Sequence, residues 1–134
     1  MSTDAIIVYS YIFFIGCCMG SFYNVCIYRL PRGESLVRPR SHCTSCGHAL
    51  GILDLFPVIS YLTLKGRCRY CKSVVSPRYM LVEIICGIMF VVVFHFFYIS
   101  IKSLLLITSL SIGLIAGFIA FDKQGKSDRR NNNV

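Results

Sequence analysis

The sequence predicts an all-α membrane protein with about three transmembrane helices and a small cytoplasmic, zinc-ribbon-like loop between helices one and two. Three observations carry this prediction. The 134 residues are 55% hydrophobic and only 15% charged, which is too apolar for an ordinary soluble domain of this size. The apolar residues are concentrated in three long stretches. Two CxxC pairs lie between the first and the second stretch.

The three apolar stretches cover residues 5–28, 80–100 and 104–121. Each can cross a hydrocarbon core of about 30 Å, which takes roughly 20 helical residues. The first stretch lacks a basic n-region and an A-x-A site, so we expect a retained helix and not a cleaved signal peptide. The first and third stretches each contain a G-x-x-x-G step, which suits packing of helix one on helix three or of either helix on a partner subunit, and we expect the packing within the chain.

The basic residues indicate the orientation of these helices. The chain has 14 Lys and Arg against 6 Asp and Glu. All but Lys102 of the Lys and Arg lie in the loop 29–79 or the polar tail 122–134. The positive-inside rule therefore places loop and tail in the cytoplasm and the N-terminus outside. The charge excess is explained by this topology and by the lipid bilayer as a partner, so we expect no nucleic-acid binding.

The loop contains its own short element and the tail does not. Residues 53–64, LDLFPVISYLTL, predict a short helix with Asp54 as its cap and Pro57 in its first turn. The tail is polar and has no apolar periodicity, so it predicts no regular structure.

Four cysteines of the loop form two C-x-x-C turns with metal-ligand spacing: Cys43, Cys46, Cys68 and Cys71. Two such turns can complete a tetrahedral site, and four thiolates are typical of structural zinc. A redox or disulfide role, or the lack of a shared site, are the alternatives, although a cytoplasmic loop disfavours stable disulfides. Gly47 follows the first turn, where a positive φ is often needed. We expect His42 and His48, which flank the first turn, not to be ligands.

Two segments of the chain resemble the N-terminal domain of bacterial type IV prepilin peptidases, the peptidase A24 family. They are residues 20–50, GSFYNVCIYRLPRGESLVRPRSHCTSCGHAL, and residues 54–83, DLFPVISYLTLKGRCRYCKSVVSPRYMLVE. The resemblance implies an inner-membrane protein of type IV pilus or type II secretion systems. Family members are aspartic proteases that remove a basic leader from prepilins and pseudopilins. Many also methylate the new N-terminus with S-adenosylmethionine.

The chain departs from the family pattern where the first catalytic aspartate is expected. Residues 118–128, FIAFDKQGKSD, align with that segment, and Ala120 stands at the position of the aspartate. Asp122 matches the second, non-catalytic aspartate, and no G-x-G-D motif follows. An aspartic protease needs two carboxyl groups that share a proton. We therefore assign no catalytic residue. Glu83 and Asp122 remain as carboxyl candidates, but we do not expect them to act as a pair. We expect Glu83 to be an interface group that snorkels or pairs with Arg78.

The expected function is that of a substrate-binding or accessory form without peptidase activity by itself, with Glu34 as a candidate contact for a basic prepilin leader. The alternatives are an N-methyltransferase of processed pilins, half of a split peptidase that needs a partner subunit, or a decayed gene product. S-adenosylmethionine as a cofactor rests on family analogy alone.

Overall fold

The computed structural model describes residues 3–38, 40–51, 53–54 and 56–131, with side chains described as far as residue 124. These residues form α1 (Thr3–Arg29), a 3₁₀ turn (Leu30–Arg32), α2 (Ile59–Thr63), α3 (Arg78–Phe97) and α4 (Ile101–Asn131). No β-strand occurs among them, and β-pairing is limited to isolated bridges. Within the described residues, α1, α3 and α4 are long and apolar enough to cross a membrane. The predicted fold class is confirmed.

The closest helix contact is between α1 and α3. A Cβ on Gly20 would lie 2.8 Å from the Cα of Glu83, and one on Gly16 would lie 2.8 Å from the carbonyl oxygen of Cys86. The G-x-x-x-G step of α1 therefore contacts α3, the second of the three apolar helices. The predicted packing of this step on the third apolar helix, α4, was wrong. Gly113 and Gly117 of α4 have no atom within 4 Å of a Cβ position. The reason is that α4 meets the other two helices along a different face.

The helix α4 packs on the α1–α3 pair through a small core. Buried Tyr23, Ile27, Val82 and Cys86 form its centre, and partly buried side chains of α4 pack against it: Leu114, Ile115, Phe118 and Ile119. The hydroxyl groups of Tyr23 and Ser111 are 2.8 Å apart in this buried region. A polar group at such a helix interface adds direction to contacts that are otherwise apolar.

The turn between α3 and α4 explains why α3 ends, and α4 begins, earlier than the apolar stretches suggest. Tyr98 has φ 50°, and its N–H donates to the carbonyl of Phe94 at 2.8 Å, which ends α3 at Phe97. The Ser100 N–H donates to the Ser103 hydroxyl at 3.0 Å, and the Ser103 N–H donates back at 3.3 Å. These reciprocal bonds satisfy free donors at the start of α4.

At its other end, α4 continues through the polar tail to Asn131, where the sequence predicts no regular structure. Asp122 is fixed by the guanidinium of Arg78 at 2.6 Å. Adding residues to an existing helix is far easier than starting one, so polar residues can extend α4 beyond the apolar stretch.

Helix α2 is shorter than the predicted helix over residues 53–64, because the backbone reverses sharply before it. Val58 has φ 58° and ψ −49°, and the Ile59 N–H donates to the carbonyl of Pro57 at 2.5 Å. This is a γ-turn of the strained, left-handed kind. Asp54 lies outside the helix and does not cap it. Its carboxylate instead accepts the backbone N–H of Gly51 at 3.1 Å.

Candidate metal centre

The two C-x-x-C segments adopt the same hydrogen-bonded turn. In the first, the Cys43 N–H donates to the His48 carbonyl at 3.0 Å, and the Gly47 N–H donates to the Cys43 carbonyl at 2.8 Å. In the second, the Cys68 N–H donates to the Ser73 carbonyl at 2.9 Å, and the Lys72 N–H donates to the Cys68 carbonyl at 3.1 Å. An isolated bridge closes the base of each turn, one between His42 and Ala49 and the other between Arg67 and Val74.

The residue after the second cysteine of each turn has a left-handed backbone. Gly47 has φ 70°, as its position in the sequence predicts, and Lys72 has φ 60°. A lysine is a poor residue for this conformation, whereas glycine adopts it freely. The matching φ values show that the turn geometry, and not residue type, is what the two segments share.

The turns bring all four predicted cysteines together. Their Sγ atoms lie within 4.8 Å of one another, and those of Cys43 and Cys71 are 3.7 Å apart. A tetrahedral zinc with Zn–S bonds of about 2.3 Å requires sulfurs about 3.8 Å apart. The four thiols therefore have the chemistry and nearly the spacing of a four-sulfur metal site, so the cluster could hold a metal ion.

The protonation of the cluster is uneven. Backbone N–H groups of Cys46 and Ser45, followed by the Ser73 hydroxyl, lower the pKa of Cys43 to about 5. The same hydroxyl is the largest influence lowering the pKa of Cys71. The His48 N–H favours ionisation of Cys46 as well, but desolvation and the adjacent thiols raise its pKa to about 11. Four adjacent thiolates need a cation to coexist, which a bound metal supplies.

The two flanking histidines contact other groups. The His48 ring lies on the Tyr70 ring, with centroids 3.7 Å apart, and so joins the two turns. The His42 Nδ1 is 3.1 Å from the Arg40 carbonyl oxygen. Neither ring is part of the sulfur cluster.

Asp54 connects the second turn to the segment before α2. Its carboxylate accepts the Arg69 Nε at 2.7 Å and the Tyr70 hydroxyl at 3.4 Å, while its carbonyl accepts the Ser60 hydroxyl at 2.8 Å. The hydrogen bond from Arg69 holds the pKa of Asp54 below its usual value. The sequence offered no sign of this role, because a carboxylate before an apolar run is typical of a helix cap.

The two carboxyl candidates have separate partners. Glu83 is buried in α3 and accepts the Val58 N–H at 2.7 Å. Asp122 is paired with Arg78, the residue that the sequence suggested as a partner for Glu83. Ala120 lies on the exposed side of α4.

A cleft of about 470 Å³ separates the loop from the nearby ends of α1 and α3. Glu34 and Glu83 line it, as do Asn24 and Tyr79, whose side-chain amide and backbone carbonyl are joined at 3.0 Å. Glu34 is exposed to solvent. The cleft therefore connects the predicted substrate contact to the buried carboxylate.

A protein-family comparison bears on this arrangement of helices, cysteine turns and cleft. The family model described as "Bacterial Peptidase A24 N-terminal domain" matches residues 14–97, more than half of the chain. The chain belongs to this family. The matched A24 region includes both cysteine turns, α3 and most of α1, so the predicted family resemblance is confirmed. Together with the three apolar helices, membership of this bacterial family indicates an inner-membrane protein.

Curated relatives of this A24 domain carry names that fit the family. A "Prepilin leader peptidase/N-methyltransferase" of Myxococcus xanthus is 48% identical over 80 residues, covering 60% of this chain and 24% of the relative. One of Pseudomonas putida with the same name is 34% identical, covering 82% and 46%. A "Type 4 prepilin-like proteins leader peptide-processing enzyme" of Escherichia coli is 41% identical, covering 56% and 35%. The chain thus spans less than half the length of these relatives. No solved structure matches it significantly.

Proposed function

We propose that this chain acts as the prepilin-engaging part of a prepilin-peptidase-like system and has no peptidase activity by itself. The observation that carries the proposal is Ala120, which stands where the family resemblance implies a catalytic aspartate. An aspartic protease activates water with two carboxyl groups that share one proton. Glu83 and Asp122 have separate partners, a backbone N–H and Arg78, which argues against their acting as such a pair.

The cysteine cluster has a structural role in this proposal. Zinc held by Cys43, Cys46, Cys68 and Cys71 would be four-coordinate and closed, without an open position for water or substrate. Its contribution is folding energy for a loop that has little apolar core of its own. The loop and the α4 end then lie on the cytoplasmic side, as the distribution of basic residues favours.

Substrate engagement is proposed to take place at the mouth of the cleft. Glu34 is exposed there and can meet a lysine or arginine of a prepilin or pseudopilin leader. An exposed charge pair contributes modestly, typically under about 1 kcal/mol, so Glu34 would add selectivity more than affinity.

Cleavage of a prepilin in membranes from a strain without its own prepilin peptidases tests the proposal. With only this chain expressed, we expect no cleavage, while the intact leader still cross-links to the chain. Replacing the basic residues of the leader by glutamine should weaken cross-linking, and Glu34→Gln should do the same. Cleavage would refute the carboxylate argument, and Glu83→Gln and Asp122→Asn would then identify the group responsible.

A second candidate function is methylation of a processed pilin. The cleft has a volume typical of small-molecule sites, which is the observation that favours a bound cofactor such as S-adenosylmethionine. Incubation of the purified chain with labelled S-adenosylmethionine and a processed pilin measures this directly. Transfer of the label would make the chain an N-methyltransferase, and no transfer is expected if it only engages substrate. Cleavage restored by a co-expressed partner subunit would instead indicate a split peptidase.

A further inference from the structure

Four apolar side chains lie exposed on the segment around α2. Leu53 is 72% exposed, Phe56 38%, Ile59 51% and Leu62 62%. These four residues are spaced three apart and are called the apolar ridge below. Four large apolar side chains exposed to water in one short segment would be unusual for a monomeric surface. The ridge therefore needs an apolar surrounding.

The position of the ridge along the helices indicates what that surrounding is. The rings of Phe56 and Phe14 have centroids 5.4 Å apart. Phe14 lies fifteen residues before Arg29 in α1, which is roughly 22 Å of helix at about 1.5 Å per residue. Phe56 thus reaches far down the flank of a membrane-spanning helix. Through Phe56, the ridge contacts the exposed flank of α1.

The irregular backbone next to the ridge also meets a requirement for backbone inside a membrane. Non-helical N–H groups in the hydrocarbon region need an acceptor from the protein, since no water is available. The Val58 N–H, in the γ-turn before α2, donates to the Glu83 carboxylate at 2.7 Å. Glu83 lies within the candidate span Arg78–Phe97 and is buried. The buried carboxylate thus gains a hydrogen-bond donor, and the N–H of the irregular turn gains an acceptor.

We propose that the apolar ridge dips into the loop-side leaflet of the bilayer and contacts lipid acyl chains, with Glu83 anchoring the turn that carries it. The loop is then a membrane-embedded element and does not stand free above the surface. This inference concerns the lipid contact of the fold and does not depend on prepilin binding. A partner protein or a second copy of the chain on the ridge are the competing occupants. The contact of Phe56 with Phe14, on the flank of a candidate span, favours lipid.

The sequence offers a direct probe, because it contains no tryptophan. Phe56→Trp and Leu62→Trp each place a single fluorophore on the ridge. Val37→Trp is the matched control, since Val37 lies in the same loop and is 80% exposed but is outside the ridge. Each variant is reconstituted into phosphatidylcholine–phosphatidylglycerol vesicles, with and without phosphatidylcholine brominated in its acyl chains. Acrylamide serves as the aqueous quencher.

Brominated lipid should quench the two ridge tryptophans at least about threefold more strongly than the Val37→Trp control, as expected for side chains below the headgroups. Acrylamide should show the opposite order. Quenching of the ridge by acrylamide to the level of the control would overturn the proposal. So would shielding from both quenchers, which would indicate a protein partner. If Phe56→Trp does not fold, Leu62→Trp carries the test.

The anchor is tested in the Leu62→Trp background. Adding Glu83→Ala should lower quenching by brominated lipid and raise quenching by acrylamide, because the turn loses its acceptor. Glu83→Gln retains an acceptor oxygen and should preserve most of the lipid quenching. Unchanged quenching in both variants would show that Glu83 does not hold the ridge in place.

Discussion

At the scale of single residues, Glu83 illustrates how an ionisable group is tolerated inside an apolar helix. Carboxylates in transmembrane segments almost always face the protein and have a partner. Here the partner is the Val58 N–H, a backbone group in a left-handed turn that valine adopts only with strain. Each feature would be unfavourable alone, and together they fix where the loop meets α3.

Substitutions at Glu83 and at Val58 separate the effect of the hydrogen-bond acceptor from the effect of the backbone strain. Glu83→Ala should destabilise the docked loop by about 1–3 kcal/mol, because it leaves a buried N–H without an acceptor. Amide hydrogen exchange of Leu62 and Leu64 in detergent reports this, since their N–H groups close the α2 bonds to Val58 and Ser60. Exchange should become at least about fivefold faster.

Val58→Gly should act in the opposite direction. Relief of the left-handed strain outweighs the extra freedom of glycine in the undocked loop, so exchange should slow in the wild-type and Glu83→Ala backgrounds alike. The control is Val37→Gly, at a position without positive φ. If the two glycine variants behave alike, the γ-turn is not part of the docked state.

The partner of Glu83 could not have been predicted from the sequence. A pairing with Arg78, five residues away in the same helix, was the natural expectation. Backbone donors carry no residue-type signal, and the strained turn at Val58 depends on docking against α3. The cysteine cluster, by contrast, was predictable residue by residue, because C-x-x-C spacing nearly determines the geometry of the turn.

At the scale of helices, small residues decide which pairs pack closely. Gly16 and Gly20 allow α1 to lie against α3, whereas Gly113 and Gly117 of α4 face open space. The sequence identifies both G-x-x-x-G steps but cannot say which neighbour each one meets. That choice depends on the rotation of each helix, which is set by the Tyr23–Ser111 contact and the core around Val82.

A matched pair of alanine substitutions tests this assignment. Gly20→Ala should destabilise the helix pair by roughly 1–3 kcal/mol, because its Cβ would be 2.8 Å from the Glu83 Cα. Gly113→Ala meets no atom and should be neutral or stabilising by up to about 1 kcal/mol through helix propensity. Unfolding of the chain in mixed micelles under increasing denaturing detergent measures both. Equal effects would contradict the packing described here.

At the scale of the whole molecule, the helix bundle and the loop are stabilised by different kinds of interaction. The α1–α3 pair and the core against α4 are stabilised by side-chain packing, whereas the loop relies on the sulfur cluster, the Asp54–Arg69 pair and the Glu83 anchor. Two units with separate sources of stability need not unfold together.

Metal removal should therefore affect the loop alone. The purified chain should contain about one zinc, and Cys43→Ser should lose it, because three thiolates cannot close the site. A strong chelator should make the loop sensitive to trypsin at Arg67 and Arg69 while the helical circular dichroism of the bundle is retained. Elemental analysis and limited proteolysis provide the two measurements, and Cys18→Ser, in α1, is the control. A metal-free chain with a protease-resistant loop would refute the zinc assignment.

The bond between Glu83 and the turn also has a consequence for how the protein is made. A charged side chain at the centre of a span opposes insertion into the bilayer by about 3 kcal/mol. Glu83 lies near the start of α3, so its cost is smaller. The acceptor finds its N–H only when the preceding loop has folded against the bundle. Assembly is therefore expected in a fixed order: α3 enters the bilayer through its apolar residues, and docking of the loop then gives its carboxylate the N–H donor.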